Sequence, residues 1–175
     1  KKINFNSSGP MDFDNGTILI KNFFYPFDEK RSKADRRIIE TRLLIKENKN
    51  WKPLNYVWND QQMEATLNYV GKSVGIQWKN KKGDVKKVAY LVPNLNQCKN
   101  CHNANNKITP IGVTAAQLNQ RYQVLEEKIN QLDYFKQAGL LTNFTNAGSH
   151  EMMPVWNDPL SASVEKRAKA YLDIN

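Results

Sequence analysis

The first hundred residues alternate between apolar and polar positions in the manner of strands. Thr17-Ile18-Leu19-Ile20-Lys21-Asn22-Phe23-Phe24-Tyr25 is a β-branched and aromatic run, entered from the turn Asp14-Asn15-Gly16 and stopped by Pro26. The charged stretch 27–37 reads as a loop. Residues 37–46 read as a second strand, which Glu47-Asn48-Lys49-Asn50 turns back into 51–58 as a hairpin. A shorter strand is expected over 63–68. Residues 73–78 and 85–92 form another hairpin, in which alternation sets Val88, Tyr90 and Val92 on one face and Lys87, Ala89 and Leu91 on the other.

Past residue 102 the spacing becomes helical. Thr114 caps a helix over 114–122, after a loop containing Pro110 and Gly112. Ile129, Leu132 and Phe135 mark a second helix over 126–138 that ends at Gly139. Residues 140–157 are irregular, and Asp158-Pro159-Leu160 opens a last helix through 163–172 with Asp158 as its N-cap. The expected fold class is therefore α+β: an antiparallel β-sheet of about five to seven strands over residues 15–93, a motif at its end, then a helical C-terminal part. The corresponding division is a β-sheet domain over 1–103 and a helical extension over 104–175 packed on it.

Composition narrows the class. A chain of 175 residues with 40% hydrophobic content and four tryptophans can build a real core. It holds no apolar run of about 18 residues, so no transmembrane segment is expected. The formal net charge of +9 points to an acidic partner or surface. The lysines are scattered over strands and turns and not gathered in one arm, so no nucleic-acid partner is expected.

The chemistry concentrates at Gln97-Cys98-Lys99-Asn100-Cys101-His102, which holds both cysteines and one of the two histidines. Cys-x-x-Cys-His is the attachment signature of c-type haem. On a helical turn, cysteines at i and i+3 lie on one face, where both can form thioether bonds to porphyrin vinyls. The adjacent histidine can then serve as iron ligand. Three other readings stay open: a thioredoxin-type dithiol, which wants a strand–helix context; a zinc site, which would need Cys98, Cys101, His102 and His150 together; and a small disulfide. Haem attachment happens outside the cytoplasm, so a periplasmic or otherwise exported location is expected, with a signal segment removed or upstream.

A resemblance is carried by Gly16-Thr17-Ile18-Leu19-Ile20-Lys21-Asn22-Phe23, Glu40-Thr41-Arg42-Leu43-Leu44, Tyr56-Val57-Trp58-Asn59-Asp60, Val92-Pro93-Asn94 with the Cys98–His102 motif, and Pro110-Ile111-Gly112. Trp156-Asn157-Asp158-Pro159 and the string 167–175 extend it over most of the chain. The chain resembles a bacterial family of exported c-type haem proteins, often multihaem and sometimes fused to sugar-dehydrogenase-like propeller domains. In that family a second Cys-x-x-Cys-His follows directly, so the resemblance implies one domain of a longer multihaem protein, with another of its haem domains as partner. A looser likeness is to β-sheet cytochromes c-prime and to hydroxylamine-oxidising cytochromes with a lysine–haem cross-link. By that analogy Lys21 is the cross-link position; a solvated strand lysine is its ordinary reading.

The second axial position has candidates in Met152, Met153, His150 and Met63. Methionine would raise the potential and histidine lower it. For each, a plain role as core filler or exposed loop residue competes. An aromatic cover from Phe23, Phe24, Tyr56, Trp58 or Trp78 would instead leave the iron open on that side. Arg36 and Arg37, or Lys86 and Lys87, are candidates to pair with haem propionates. Phosphate-loop, nucleophile-elbow and zincin motifs are lacking.

The sequence thus reads as a c-type cytochrome domain with one covalent haem c on Cys98 and Cys101 and His102 on its iron. Its task would be electron transfer, to an acidic redox partner, or small-ligand binding. The alternative is a non-catalytic β-rich module of a larger dehydrogenase assembly, its Cys-x-x-Cys a disulfide or zinc site.

Overall fold

The computed structural model describes residues 2–32, 34–124 and 126–173. In chain order it contains β1 (Ile3–Asn4), β2 (Asp12–Phe13), β3 (Ile18–Pro26), β4 (Arg36–Glu47), β5 (Asn50–Trp58), β6 (Ala65–Leu67), β7 (Lys72–Lys79) and β8 (Val85–Val92), followed by helix α1 (Leu95–Cys101). After these come β9 (Asn103–Ala104), β10 (Lys107–Ile108), α2 (Ala115–Leu118), β11 (Arg121–Val124), β12 (Glu127–Asn130), α3 (Gln131–Gln137), β13 (Leu141–Thr142) and α4 (Val164–Asp173). Two compact units result: Gly16–Thr109, and the described residues of Lys1–Asn15 with Pro110–Asn175.

In the 16–109 unit the order β3-β4-β5-β6 makes a four-stranded antiparallel sheet, and β7 pairs β8 in a separate ribbon. The β4–β5 turn places Asn48 at φ 48° and Lys49 at φ 64°. Two left-handed residues in a row form the hairpin turn whose twist matches the strands. Between Phe23 and Phe24 the β3–β4 register slips: Phe23 faces Glu40 and Phe24 faces Ile38. The extra residue, Ile39, is driven into the core and is only 1% exposed, beside buried Trp51, Val57, Ile76 and Val92.

In the other unit, β1 is flanked by parallel β13 (Ile3 opposite Leu141) and antiparallel β2 (Ile3 opposite Phe13). Its core gathers Met11, Phe13, Ala115, Leu132, Leu141, Phe144, Ala147 and Ala170.

The α+β expectation is corrected. Among the described residues the chain is mostly β, in several small sheets, and its four α-helices are short, with ten residues in the longest, α4. Among the described residues no single five-to-seven-stranded sheet spans 15–93, since the β7–β8 ribbon forms a sheet of its own apart from β3–β6. Nor is the C-terminal part helical. The helix expected over 114–122 stops at Leu118, and Arg121–Val124 pairs instead with Glu127–Asn130, Tyr122 facing Ile129. Two asparagines cause this. Asn119 ends α2, and Asn130 starts α3 by accepting the amides of Leu132 (2.9 Å) and Asp133 (3.4 Å). The last helix begins at Val164, and Asp158 caps only the preceding turn, accepting from the Leu160 amide at 2.9 Å.

Candidate functional site

Helix α1 is built by its first turn. Asn94 Oδ1 accepts the Gln97 amide at 2.9 Å and Gln97 Oε1 accepts the Asn94 amide at 2.9 Å, a reciprocal capping box. The entry is held against β5, where Asn55 Nδ2 donates to the Pro93 carbonyl at 3.4 Å. Gly71, at φ 85°, lets the chain pass close by: a Cβ there would sit 3.0 Å from the Val92 carbonyl oxygen and 3.3 Å from the Asn94 nitrogen. The helix then presents Cys98 half-buried and Cys101 exposed, both free thiols, one turn apart.

His102 is fixed from two sides. Its amide closes α1 on the Cys98 carbonyl at 2.9 Å. The tight β9–β10 hairpin, turning through left-handed Asn105 and Asn106, brings back Thr109, whose amide donates to the His102 carbonyl at 3.2 Å. The Thr109 carbonyl oxygen lies 2.9 Å from His102 Nδ1. A carbonyl can only accept, so Nδ1 carries the proton and Nε2 of the neutral ring keeps a bare lone pair. That is the orientation a backbone carbonyl behind the ring imposes on metal-binding imidazoles.

Beside Cys98 lies a polar cluster whose one local signal is a pair of charges, Glu40 and Arg42, at alternate positions between the apolar pairs Ile38-Ile39 and Leu43-Leu44. Glu40 and Arg42 share one face of β4. Lys21 of β3 and Asn55 of β5 stand opposite Arg42. Glu40 is fully buried, and its Oε1 accepts from Tyr90 Oη at 2.6 Å and from Arg42 Nη2 at 2.5 Å. The Arg42 guanidinium also stacks 4.1 Å from the Phe23 ring centroid, with the Lys21 ammonium 5.0 Å from it. Three buried atoms, Glu40 Oε2, Arg42 Nε and Asn55 Oδ1, have no hydrogen-bond partner among the described residues.

The cluster sets the local electrostatics. Burial pushes the Cys98 thiol up, Arg42 pulls the other way and Glu40 adds to the rise. A thiol raised in this way is the reverse of a redox-active dithiol's low-pKa cysteine. Burial and then the charge of Arg42 hold the Lys21 ammonium below its ordinary range. Burial opposes the charge of Arg42, yet its bond to Glu40 and that residue's charge hold it above.

Of the sequence-expected ligands, Cys98, Cys101 and His102 come together on α1 and its cap. Met63 is 80% exposed in the turn between β5 and β6. His150, Met152 and Met153 belong to the other unit. The His150 ring packs against Phe5 (centroids 4.6 Å apart) and Phe144 (5.7 Å), which touch each other at 5.0 Å. Met152 is exposed, and Met153 is held by its backbone, its amide on the Ala116 carbonyl at 2.9 Å and its carbonyl accepting from Gln120 Nε2. Arg37 bonds Asp60 at 2.5 Å and Arg36 bonds the Ser32 carbonyl at 2.5 Å. Among the described residues, no three or more His, Cys, Asp or Glu side chains are grouped to hold a bare metal ion, and no helix is long and apolar enough to cross a membrane.

The charge divides unevenly. Residues 16–109 contain 18 Lys and Arg against 8 Asp and Glu, whereas the remaining residues contain 8 against 9. The whole basic surplus thus belongs to the unit that contains the Cys-x-x-Cys-His motif. No known family model, curated protein or solved structure matches the chain.

Proposed function

We propose that the 16–109 unit is a c-type cytochrome domain of an exported, multihaem-type protein, resembling the bacterial family named above. Cys98 and Cys101 would hold haem c by thioether bonds, and His102 Nε2 would bind its iron. The observation that carries the reading is the Nδ1–Thr109 bond, which in the neutral ring sets the proton on Nδ1 and the lone pair on Nε2, one residue after two free thiols on the same helical turn. When bound, the group supplies a one-electron couple and an iron that can accept a second ligand. The chain's own residues hold it, fix the imidazole and surround Cys98 with a desolvated Glu40–Arg42 pair. Electron transfer with an acidic redox partner, or with another haem domain of a longer chain, is the activity best supported, because the unit's basic surplus favours approach of negative surfaces.

The test is a pyridine haemochrome and a reduced-minus-oxidised spectrum on protein produced with cytochrome c maturation in the periplasm. A covalent c-type signal that falls in Cys98→Ser and Cys101→Ser is expected. Carbon monoxide then separates the two uses: an indifferent spectrum supports electron transfer, and a shifted one supports small-ligand binding. A wild-type protein that matures without covalent haem overturns the proposal and leaves the Cys-x-x-Cys as a disulfide or metal site in a β-rich module.

A further inference from the structure

We propose that the outer edge of β8 docks an extended, acidic segment of a partner protein as a third strand of the β7–β8 ribbon. This deepens the acidic-partner part of the reading above, and it stands without the haem part.

The edge is open and regular. The ribbon has two strands, and among the described residues β8 pairs with β7 alone. Its register runs unbroken from Lys72 opposite Val92 to Lys79 opposite Val85, without bulge or proline. The other side of the ribbon is occupied, since β7 runs near β3 and Lys79 bridges Asp28. Along β8, Val85 is 51%, Val88 38% and Leu91 74% exposed. Unpaired main-chain groups beside exposed apolar side chains are what an added strand uses for affinity.

Charge selects the occupant. The ribbon and its turn expose Lys72, Lys79, Lys81, Lys82, Lys86 and Lys87, against the single carboxylate of Asp84. Among the described residues, the Lys86 ammonium lies 3.9 Å from Asp84, and at the turn end of the ribbon the Glu29 carboxylate accepts the Lys81 amide at 3.0 Å and Trp78 Nε1 at 2.9 Å. Edge lysines disfavour pairing with a second copy of the same edge, because like charges would face each other. The same lysines favour a strand bearing Asp or Glu. A shallow cavity of about 590 Å³ next to Val88 spans both strands of the ribbon, with Arg37 and Lys87 among its lining residues. β8 runs through Pro93 and Asn94 straight into α1, so the docked segment would lie on the strand that leads to the Cys-x-x-Cys-His motif.

The test uses the full chain and a peptide of about eight residues alternating Glu and Val, read by amide hydrogen exchange. Slower exchange concentrated in residues 85–92 is expected, with affinity falling at least about tenfold in Lys86→Glu/Lys87→Glu and in high salt. A peptide of the same sequence, N-methylated along one edge, separates strand addition from simple charge attraction. Loss of binding supports the proposal, and equal binding overturns it. It is also overturned if the Glu-Val peptide leaves 85–92 unprotected, or if a single-stranded oligonucleotide protects those amides more strongly. Exchange is read independently of covalent haem, so failure here leaves the haem assignment standing.

Discussion

Tyr90 Oη donates to Glu40 Oε1 at 2.6 Å, tying the β7–β8 ribbon to the four-stranded sheet through a carboxylate that solvent does not reach. Glu40 also answers Arg42, so removing its charge does more than removing the phenol. Tyr90→Phe should cost about 2 kcal/mol, one hydrogen bond to a charged group. Glu40→Gln should cost about 3 kcal/mol, because Arg42 is left partly buried without its counter-charge. Urea denaturation of both and of the double variant checks this, with the double costing less than the sum of the singles. A Glu40→Gln protein as stable as the parent would show that the carboxylate does not hold Arg42.

The same pair sets an alkaline limit. Burial, then the bond and charge of Glu40, push the Tyr90 phenol well above its ordinary 10.0. The folded chain thus keeps a proton that the unfolded chain releases, and the associated stability, complete below pH 10.0, is lost as pH rises beyond it. Lys21 has the opposite sign. Its lowered folded-state pKa costs stability while both states are charged, and that cost fades as pH climbs toward 10.5. Thermal melts from neutral to strongly alkaline pH should therefore show a flatter alkaline decline in Tyr90→Phe and a steeper one in Lys21→Met, with Lys21→Met the more stable at neutral pH.

At the motif, the His102 clamp depends on a backbone turn. Asn105 and Asn106 have φ of 53° and 60°, where asparagine and glycine are tolerated and β-branched residues are not. Asn106→Val should cost about 1–2 kcal/mol and Asn106→Gly little. Imidazole ¹⁵N shifts should report protonated Nδ1 and bare Nε2 on His102 in the parent, and a mixture of tautomers in Asn106→Val. Mixed tautomers in the parent would remove the argument for a preset ligand. Alkylation gives a parallel check: exposed Cys101 should react faster than Cys98, which is half-buried and pushed up.

What the sequence made legible follows a physical rule. β4–β5 and β7–β8 are hairpins whose alternation and turn residues are local, and both stand where the pattern put them. The structure places Cys98, Cys101 and His102 together on α1 and its cap, a grouping that their contiguity in the chain already implies. The Glu40–Arg42–Tyr90 cluster was not legible, since Tyr90 reaches Glu40 from a separate two-stranded ribbon, by a side-chain hydrogen bond across fifty residues of chain. The helices expected after residue 110 failed for a related reason. Ile129, Leu132 and Phe135 fit a helical period, but Asn130 stands among them and its side chain competes for backbone amides, so the first half pairs as a strand. β1 and β13 are two residues each and pair across most of the chain, a contact no local pattern encodes.

Asn119 carries the corresponding burden in the other unit. At 2% exposure, its Nδ2 donates to the carbonyls of Ala147 (3.1 Å), His150 (2.9 Å) and Glu151 (3.2 Å), while its Oδ1 accepts from Asn130 Nδ2 at 2.7 Å. One amide thus joins the end of α2, the cap of α3 and the loop that bears His150. Asn119→Ala should cost about 2–3 kcal/mol, since it orphans several buried groups at once. Asn119→Asp should cost more, because a carboxylate would face three carbonyl oxygens with no proton to offer. The loss should show as faster proteolysis within residues 110–173 while the exchange protection of β3–β5 holds. If the asparagine merely fills space, Asn119→Leu should be no worse than Asn119→Ala; if its hydrogen bonds decide, both should fall alike and Asn119→Asp further still.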